Sequence, residues 1–128
     1  MIANHAQAKR AFFESAERGA LEAPYCNDCS EYYFYPRAFC PRCWSEDVEY
    51  RAVSGFGTIW SHTIVRFAHG AAQSWPVPYV VALVTLDEGI RLMGNVVDCP
   101  FDSVHAKMRV AIAYRQIGDR VLPVWTPA

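Results

Sequence analysis

Two closely spaced cysteine pairs constrain this chain more than any other feature of its sequence. The pairs are Cys26/Cys29 and Cys40/Cys43, and ten residues separate them. Each C-x2-C turn can aim two thiolates at one point, so two facing turns form a tetrahedral cage of four sulfurs with zinc–sulfur distances of about 2.3 Å. In a reducing compartment this array is typical of zinc rather than of disulfides. We therefore predict one structural Zn²⁺ per chain, held by these four thiolates.

Other uses of the thiols fit the sequence less well. Rubredoxin-type iron suits the same four-sulfur geometry, and a dithiol redox role is a further alternative. A catalytic zinc is disfavoured because such sites keep one position for water and use His or carboxylate ligands. The fifth cysteine, Cys99, follows Asp98, whose negative charge disfavours the thiolate that a nucleophile needs, and it precedes Pro100, which marks the start of a loop. We interpret it as a free thiol packed under a loop.

Composition excludes several classes of protein. The 128 residues are 52% apolar, and 12 Lys plus Arg against 13 Asp plus Glu leave a formal net charge of −1. Such a chain is too apolar to be disordered and has no basic field for nucleic acid. No apolar run approaches the roughly 20 residues of a membrane span, and the start lacks the features of a signal peptide. We expect a cytoplasmic protein that binds neither nucleic acid nor a membrane.

The sequence pattern near the start of the chain predicts a helix. Good helix formers without proline fill residues 5–21, and Gly19 is a plausible terminator. The apolar stripe consists of Ala8, Phe12 and Ala16. The helix either packs on the core or contacts a partner through Phe12 and Phe13, because adjacent aromatic residues cannot both point into one small core.

The segment 22–50 holds the cysteines and is predicted to be a zinc ribbon. Between the pairs, residues 30–39 are rich in aromatic side chains. We predict a short hairpin there whose aromatics cover the metal. A segment of this size cannot bury enough apolar surface to fold alone, so the metal would supply the missing stability.

From residue 51 onward the pattern changes to strands. The predicted strands are 58–65, 79–86, 90–97, 109–115 and 120–125. Five short strands in about 75 residues are typical of a small closed barrel of the OB-fold type. The predicted fold class is thus mainly β, divided into an N-terminal helix (1–21), a zinc ribbon (22–50) and an OB-fold domain (51–128).

The order of these features resembles a known family. A short helix precedes a C-x2-C-x10-C-x2-C ribbon containing Phe34–Arg37, followed by the segments Val53–Thr63 and Pro78–Gly89. From about Phe12 to Pro127 the chain is similar to the rubredoxin-like zinc ribbon plus OB-fold family, domain of unknown function 35. One departure stands out: glycine commonly follows the second cysteine of each pair, whereas Ser30 and Trp44 stand there here, so distorted turns are expected.

The resemblance implies an accessory subunit rather than an enzyme. Family members resemble partners of thiolase-fold proteins: thiolases, acyltransferases, hydroxymethylglutaryl-CoA synthase assemblies and aldolases of steroid side-chain degradation. Some are associated with hot-dog-fold enoyl-CoA hydratases. The OB domain would help to bind or channel the acyl-CoA substrate, and the partner would supply catalysis. Since thiolase-fold enzymes form dimers, the implied assembly is a hetero-tetramer with two copies of each chain.

Two groups of residues are candidates for binding. The loop 67–78 is long and carries no charge, so we predict that it covers the mouth of the barrel, a partner subunit or an acyl-pantetheine chain. In the complex that the resemblance implies, the loop would face the shared acyl-CoA channel. The predicted acyl-CoA contacts are Arg66, Phe67, His69 and Trp75. The predicted partner contacts are Phe12, Phe13, Tyr32, Tyr33, Phe34 and Tyr35. The alternative functions are a nucleic-acid-binding ribbon and OB module, which the charge disfavours, and a free-standing acyl-CoA enzyme, which lacks a readable nucleophile–base pair.

Overall fold

A computed structural model describes residue 2, residues 4–67 and residues 76–128. Its elements along the chain are α1 (His5–Glu17), β1 (Glu22–Cys26), β2 (Glu31–Tyr32), β3 (Val48–Ala52), β4 (Phe56–Val65), β5 (Tyr79–Leu86), β6 (Arg91–Val96), a 3-10 turn (Phe101–Ser103), β7 (Arg109–Ile117) and β8 (Arg120–Pro127). The predicted fold class is confirmed. Over the described ranges, no helix has the length and apolar character needed to cross a membrane.

Helix α1 begins and ends at clear signals. The side chain of Asn4 accepts a hydrogen bond from the Gln7 N–H at 2.9 Å, which caps the first turn. At the other end Gly19 has φ +72°, and the N–H of Ala20 donates to the Ser15 carbonyl at 3.1 Å, completing a Schellman motif. The helix therefore stops at Glu17, four residues before the predicted end, because the glycine turn reverses the chain.

The cysteine-bearing segment contains a three-stranded antiparallel sheet in the order β2-β1-β3. The prediction of a hairpin within residues 30–39 is wrong, because only Glu31–Tyr32 is a strand there, and it pairs with β1. Ser30 adopts φ +56°, which folds the chain back onto β1 immediately after the first cysteine pair. Pro36 has no N–H to offer a ladder, so the remaining aromatic run cannot supply a second strand.

The remaining five strands close into a barrel in the order β4-β5-β6-β8-β7. Strand β5 alternates strictly between buried and half-buried residues, which is the signature of a strand with one face in the core. Closure comes from antiparallel pairing of β4 with β7 and from a parallel bridge between Val96 and Trp125. A tight turn at 87–89 joins β5 to β6, with Gly89 at φ +96°.

The helix and the ribbon are fastened to the barrel through a shared core. Phe12, Ala16 and Leu21 belong to the same buried cluster as the barrel residues Ile59 and Trp125. The Leu21 N–H donates to the Tyr114 hydroxyl at 2.8 Å. These contacts hold α1 against β8 and thereby set the position of every surface described below.

Ser15 provides a test of this attachment. Its hydroxyl is fully buried, donates to the Phe12 carbonyl at 2.6 Å and accepts from the Glu22 N–H at 3.0 Å. Ser15→Ala removes the acceptor of the Glu22 N–H, so we expect the free energy of unfolding to fall by about 1–3 kcal/mol. Urea unfolding measures the loss, and the exposed Ser103→Ala is the matched control. Equal stability of the two variants would show that this serine does not link helix and ribbon.

Candidate metal centre and apolar groove

The four paired cysteines meet at one point. Their sulfur atoms all lie within 4.8 Å of one another. The Sγ atoms of Cys26 and Cys43 are 3.6 Å apart, and those of Cys29 and Cys40 are 3.9 Å apart. A disulfide needs about 2.05 Å, whereas a tetrahedral metal with bonds of ~2.3 Å places its sulfurs ~3.8 Å from one another. The spacing therefore fits a metal cage and excludes disulfides among these residues.

The two turns that carry the cysteines have the conformation normally built with glycine. Ser30 has φ +56° and Trp44 has φ +64°, both in the left-handed region. The expected distortion is absent, because both residues accept this conformation at a cost of about 1–2 kcal/mol each. The turns aim backbone N–H groups inward: the Cys29 N–H donates to the Cys26 sulfur at 3.3 Å.

The pKa values of the clustered thiols indicate that a cation is needed for all four to be thiolates. Burial raises the pKa of Cys26, while hydrogen bonding to Cys43, followed by burial, raises the pKa of Cys29 to about 12. Burial also acts to raise the pKa of Cys40, but backbone N–H groups of Cys43 and Arg42 outweigh it and lower that pKa to about 7. Thiols this close cannot all ionise without positive charge among them, and a divalent metal supplies it.

A small apolar cluster covers one side of the cage. Tyr33 is 1% exposed and packs with Cys26, Cys40 and Val48. Its hydroxyl donates to the Arg37 carbonyl at 2.6 Å, and burial raises its pKa to about 12. One aromatic residue of the predicted run therefore covers the metal site.

A second feature is an apolar groove of about 610 Å³ between α1, the ribbon and the barrel. Its side walls are Phe13 and Tyr35 on one side and Leu83, Met93 and Leu122 on the other. Among the described residues that line it there is no His, Cys, Asp, Glu, Ser or Thr. The polar side chains in its lining are Tyr35, Arg91 and Asn95, and the rest of the lining is apolar, so the groove is suited to an apolar group.

The six predicted partner contacts fall into three sets. Phe12 and Tyr33 are buried, 6% and 1% exposed, within the core of this chain. Phe13, Phe34 and Tyr35 line the groove. The hydroxyl of Tyr32 donates to the Ala52 carbonyl at 2.7 Å, within the ribbon. Adjacent aromatic residues thus divide between the core and the surface, as the Phe12/Phe13 argument requires.

Two of the four predicted acyl-CoA contacts can be located. The Arg66 guanidinium lies 5.5 Å from the centre of the Phe101 ring, and Phe67 is 81% exposed. His69 and Trp75 lie outside the described residues. Cys99 is a half-buried free thiol packed against the main core.

The barrel wall of the groove was not foreseen. Leu83 and Met93 are directly opposite each other on β5 and β6, and Met93 is 72% exposed. The alternation of the strands could have indicated this wall. Leu83 and Met93 occupy positions that face out of the barrel, where a strand exposed to solvent usually has polar side chains. Apolar residues at outward positions of two paired strands indicate a covered surface.

The four-cysteine cage and the closed barrel together define a small protein that consists of a zinc-ribbon-like domain followed by an OB-fold domain. Two family models match consecutive parts of the chain: the ChsH2 rubredoxin-like zinc ribbon domain over residues 13–49 and the ChsH2 C-terminal OB-fold domain over residues 50–126. The chain belongs to this ChsH2-type family, which is the resemblance inferred from the sequence.

Relatives and solved structures agree with this assignment. A "DUF35 domain-containing scaffold protein" of Methanocaldococcus jannaschii is 33% identical over 104 residues, which is 80% of this chain and 73% of the relative. A "probable enoyl-CoA hydratase alpha subunit" of Thermomonospora curvata is 32% identical over 91% of this chain, but the match spans only 36% of that longer protein. A solved structure described as "Ltp2-ChsH2(DUF35) aldolase" matches with a TM-score of 0.84 at 30% identity, covering 94% of both chains.

Proposed function

We propose that this chain is a non-catalytic accessory subunit of an acyl-CoA enzyme, binding a thiolase-like subunit that carries the catalytic residues. The observation that carries the proposal is the groove, which is lined mainly by apolar side chains and has an exposed rim. The proposal is supported by the similar chain described as part of an aldolase and by relatives named scaffold proteins and hydratase alpha subunits.

The rim of the groove has the character of a protein interface. Met93 is 72% exposed and Tyr35 is 45% exposed, although both are apolar over most of their surface. At the edges, the guanidinium of Arg120 lies 5.1 Å from the Phe13 ring centre and that of Arg91 lies 4.1 Å from the Trp60 ring centre. Aromatic, Met and Arg side chains are the residue types enriched at interfaces. We infer that an apolar segment of the partner fills the groove.

The metal in this proposal is one Zn²⁺ with a structural role. Four thiolates complete a tetrahedral shell and leave no position for water or substrate. The packing around the cysteines also favours a structural role, because Tyr33 and Val48 pack against Cys26 and Cys40. The ion would hold together a ribbon whose β2 strand has only two residues.

The acyl-CoA contacts stay a proposal. Arg66 and Phe67, both exposed, stand at the start of the segment that we expect to face the shared substrate channel. His69 and Trp75 complete the predicted set. A complex with two copies of each chain follows from the dimeric nature of thiolase-fold enzymes and belongs to the same proposal.

Co-expression with a candidate thiolase-fold protein from the same organism tests the proposal. We expect the two proteins to co-purify and acyl-CoA turnover to require both. Met93→Glu places a charge in the groove wall, so we expect at least about tenfold weaker partner binding by surface plasmon resonance. Phe56→Glu is the matched control, because Phe56 is 46% exposed and does not line the groove.

Two outcomes would contradict this function. One is steady acyl-CoA turnover by the purified chain alone. The other is wild-type partner affinity of Met93→Glu, which would remove the groove from the interface.

A further inference from the structure

A second depression lies beside the groove, on the other side of Tyr35. It has a volume of about 430 Å³ and lies between the first turns of α1 and the segment that follows the aromatic run. The side chains that give it chemical character are His5, Lys9, Tyr35, Arg37 and Phe39. We call it the His5–Phe39 pocket.

Uncompensated positive charge distinguishes this pocket. Lys9 and Arg37 both line it, and no carboxylate is among its lining residues. Five other arginines form ion pairs within the described part of the chain, whereas Lys9 and Arg37 belong to none of these pairs. In a chain with a net charge of −1, two unpaired cations in one concave surface make a local site for an anion.

His5 adds a donor whose orientation is set by the ribbon. Its Nδ1 accepts a hydrogen bond from the Ala38 N–H at 3.1 Å. With Nδ1 as the acceptor of this bond, Nε2 is the donor nitrogen of the ring. This contact also holds α1 against the far wall of the pocket.

The remaining walls are aromatic and held in place. The Phe39 ring stacks on Trp44, with ring centres 5.0 Å apart and planes 11° apart. The His5 ring meets it edge-on at 5.3 Å. Phe39 is half-buried and Tyr35 is exposed, so an aromatic surface is available next to the two cations.

We propose that the His5–Phe39 pocket binds a nucleoside diphosphate, with the phosphates on Lys9 and Arg37 and the base against Phe39 or Tyr35. Inorganic anions would leave the aromatic walls in water, and a neutral aromatic ligand would leave the two cations unused. The volume lies within the range of small-molecule sites, roughly 300–1,000 Å³. The same chemistry occurs in free ADP and in the nucleotide portion of CoA. The inference does not depend on the proposed partner, because these residues all belong to this chain.

Isothermal titration calorimetry on the full-length, zinc-loaded chain tests the proposal with ADP, pyrophosphate and CoA as probes. We expect ADP to bind, and Lys9→Gln and Arg37→Gln each to weaken ADP binding by about tenfold or more, since each removes a charge-assisted contact. Arg10→Gln is the matched control. This substitution removes the same charge from the same helix, and Arg10 does not line the pocket. Phe39→Leu should reduce the preference for ADP over pyrophosphate, with zinc content as the check on folding.

The outcomes separate clearly. CoA that competes with ADP supports the pocket and assigns it to CoA, whereas binding of ADP without CoA supports it as a site for free nucleotides. No ADP binding at millimolar concentration, or ADP binding that Lys9→Gln and Arg37→Gln leave unchanged, would overturn the proposal. Equal affinity for pyrophosphate and ADP would also overturn it, because the aromatic walls would then play no part.

Discussion

Cys40→Ser is expected to abolish stoichiometric zinc binding and to unfold the ribbon. Cys40 is fully buried, and its sulfur lies 3.9 Å from that of Cys29 across the cage. A structural zinc contributes an apparent ~10–16 kcal/mol in zinc-finger peptides, and the loss of one of four thiolates removes much of that stabilisation. The two-residue strand β2 and the left-handed Ser30 and Trp44 leave the ribbon little stability of its own.

Metal analysis and circular dichroism measure this effect. The matched control is Cys99→Ser. Cys99 is a half-buried thiol that lies outside the cage, whereas Cys40 is a buried thiol within it. We expect the control to retain one zinc per chain and the wild-type fold. If the wild-type protein proves metal-free and fully folded, or if Cys40→Ser keeps both zinc and structure, the cage has no structural role.

Trp125→Ala is expected to lower the free energy of unfolding by about 3–5 kcal/mol. The side chain is 1% exposed and heads the fully buried side chains by volume. It stands at the parallel bridge that closes the barrel, and its indole nitrogen lies 3.0 Å from the place where a Cβ on Gly94 would be. A residue larger than glycine at position 94 would press on the indole, and alanine at 125 would leave a cavity in its place.

The exposed Trp60 supplies a matched truncation. Trp60 is 56% exposed, and its ring contacts only the Arg91 guanidinium among the cations. Trp60→Ala should therefore cost about 1 kcal/mol or less. Urea titration gives both values, and unchanged zinc content in each variant separates barrel damage from ribbon damage. Comparable losses for the two tryptophans would show that the barrel closure does not rest on Trp125.

The metal centre was predictable because its information is local. Each C-x2-C turn places its own two sulfurs, and the four cysteines of the predicted site do meet at one point. The end of α1 was predicted less well, although Gly19 carried the signal for it. The prediction of the ribbon hairpin was wrong because the partner of β2 is β1, which lies before the aromatic run and ends at Cys26.

The binding surfaces depend on which distant segments meet. Phe12 and Phe13 are neighbours in sequence, yet Phe12 is buried and Phe13 is only half-buried, a difference that the packing of α1 on β8 decides. The groove brings Phe13 and Tyr35 opposite Leu83 and Met93, and the His5–Phe39 pocket joins α1 to the ribbon in the same way.

Local chemistry therefore accounts for the cage, the helix and the five barrel strands, since each follows from spacing or alternation within a few residues. The groove and the pocket arise from contacts between residues that are tens of positions apart. A side chain's exposure there depends on the final packing of whole elements, and no short-range pattern in the sequence carries that information.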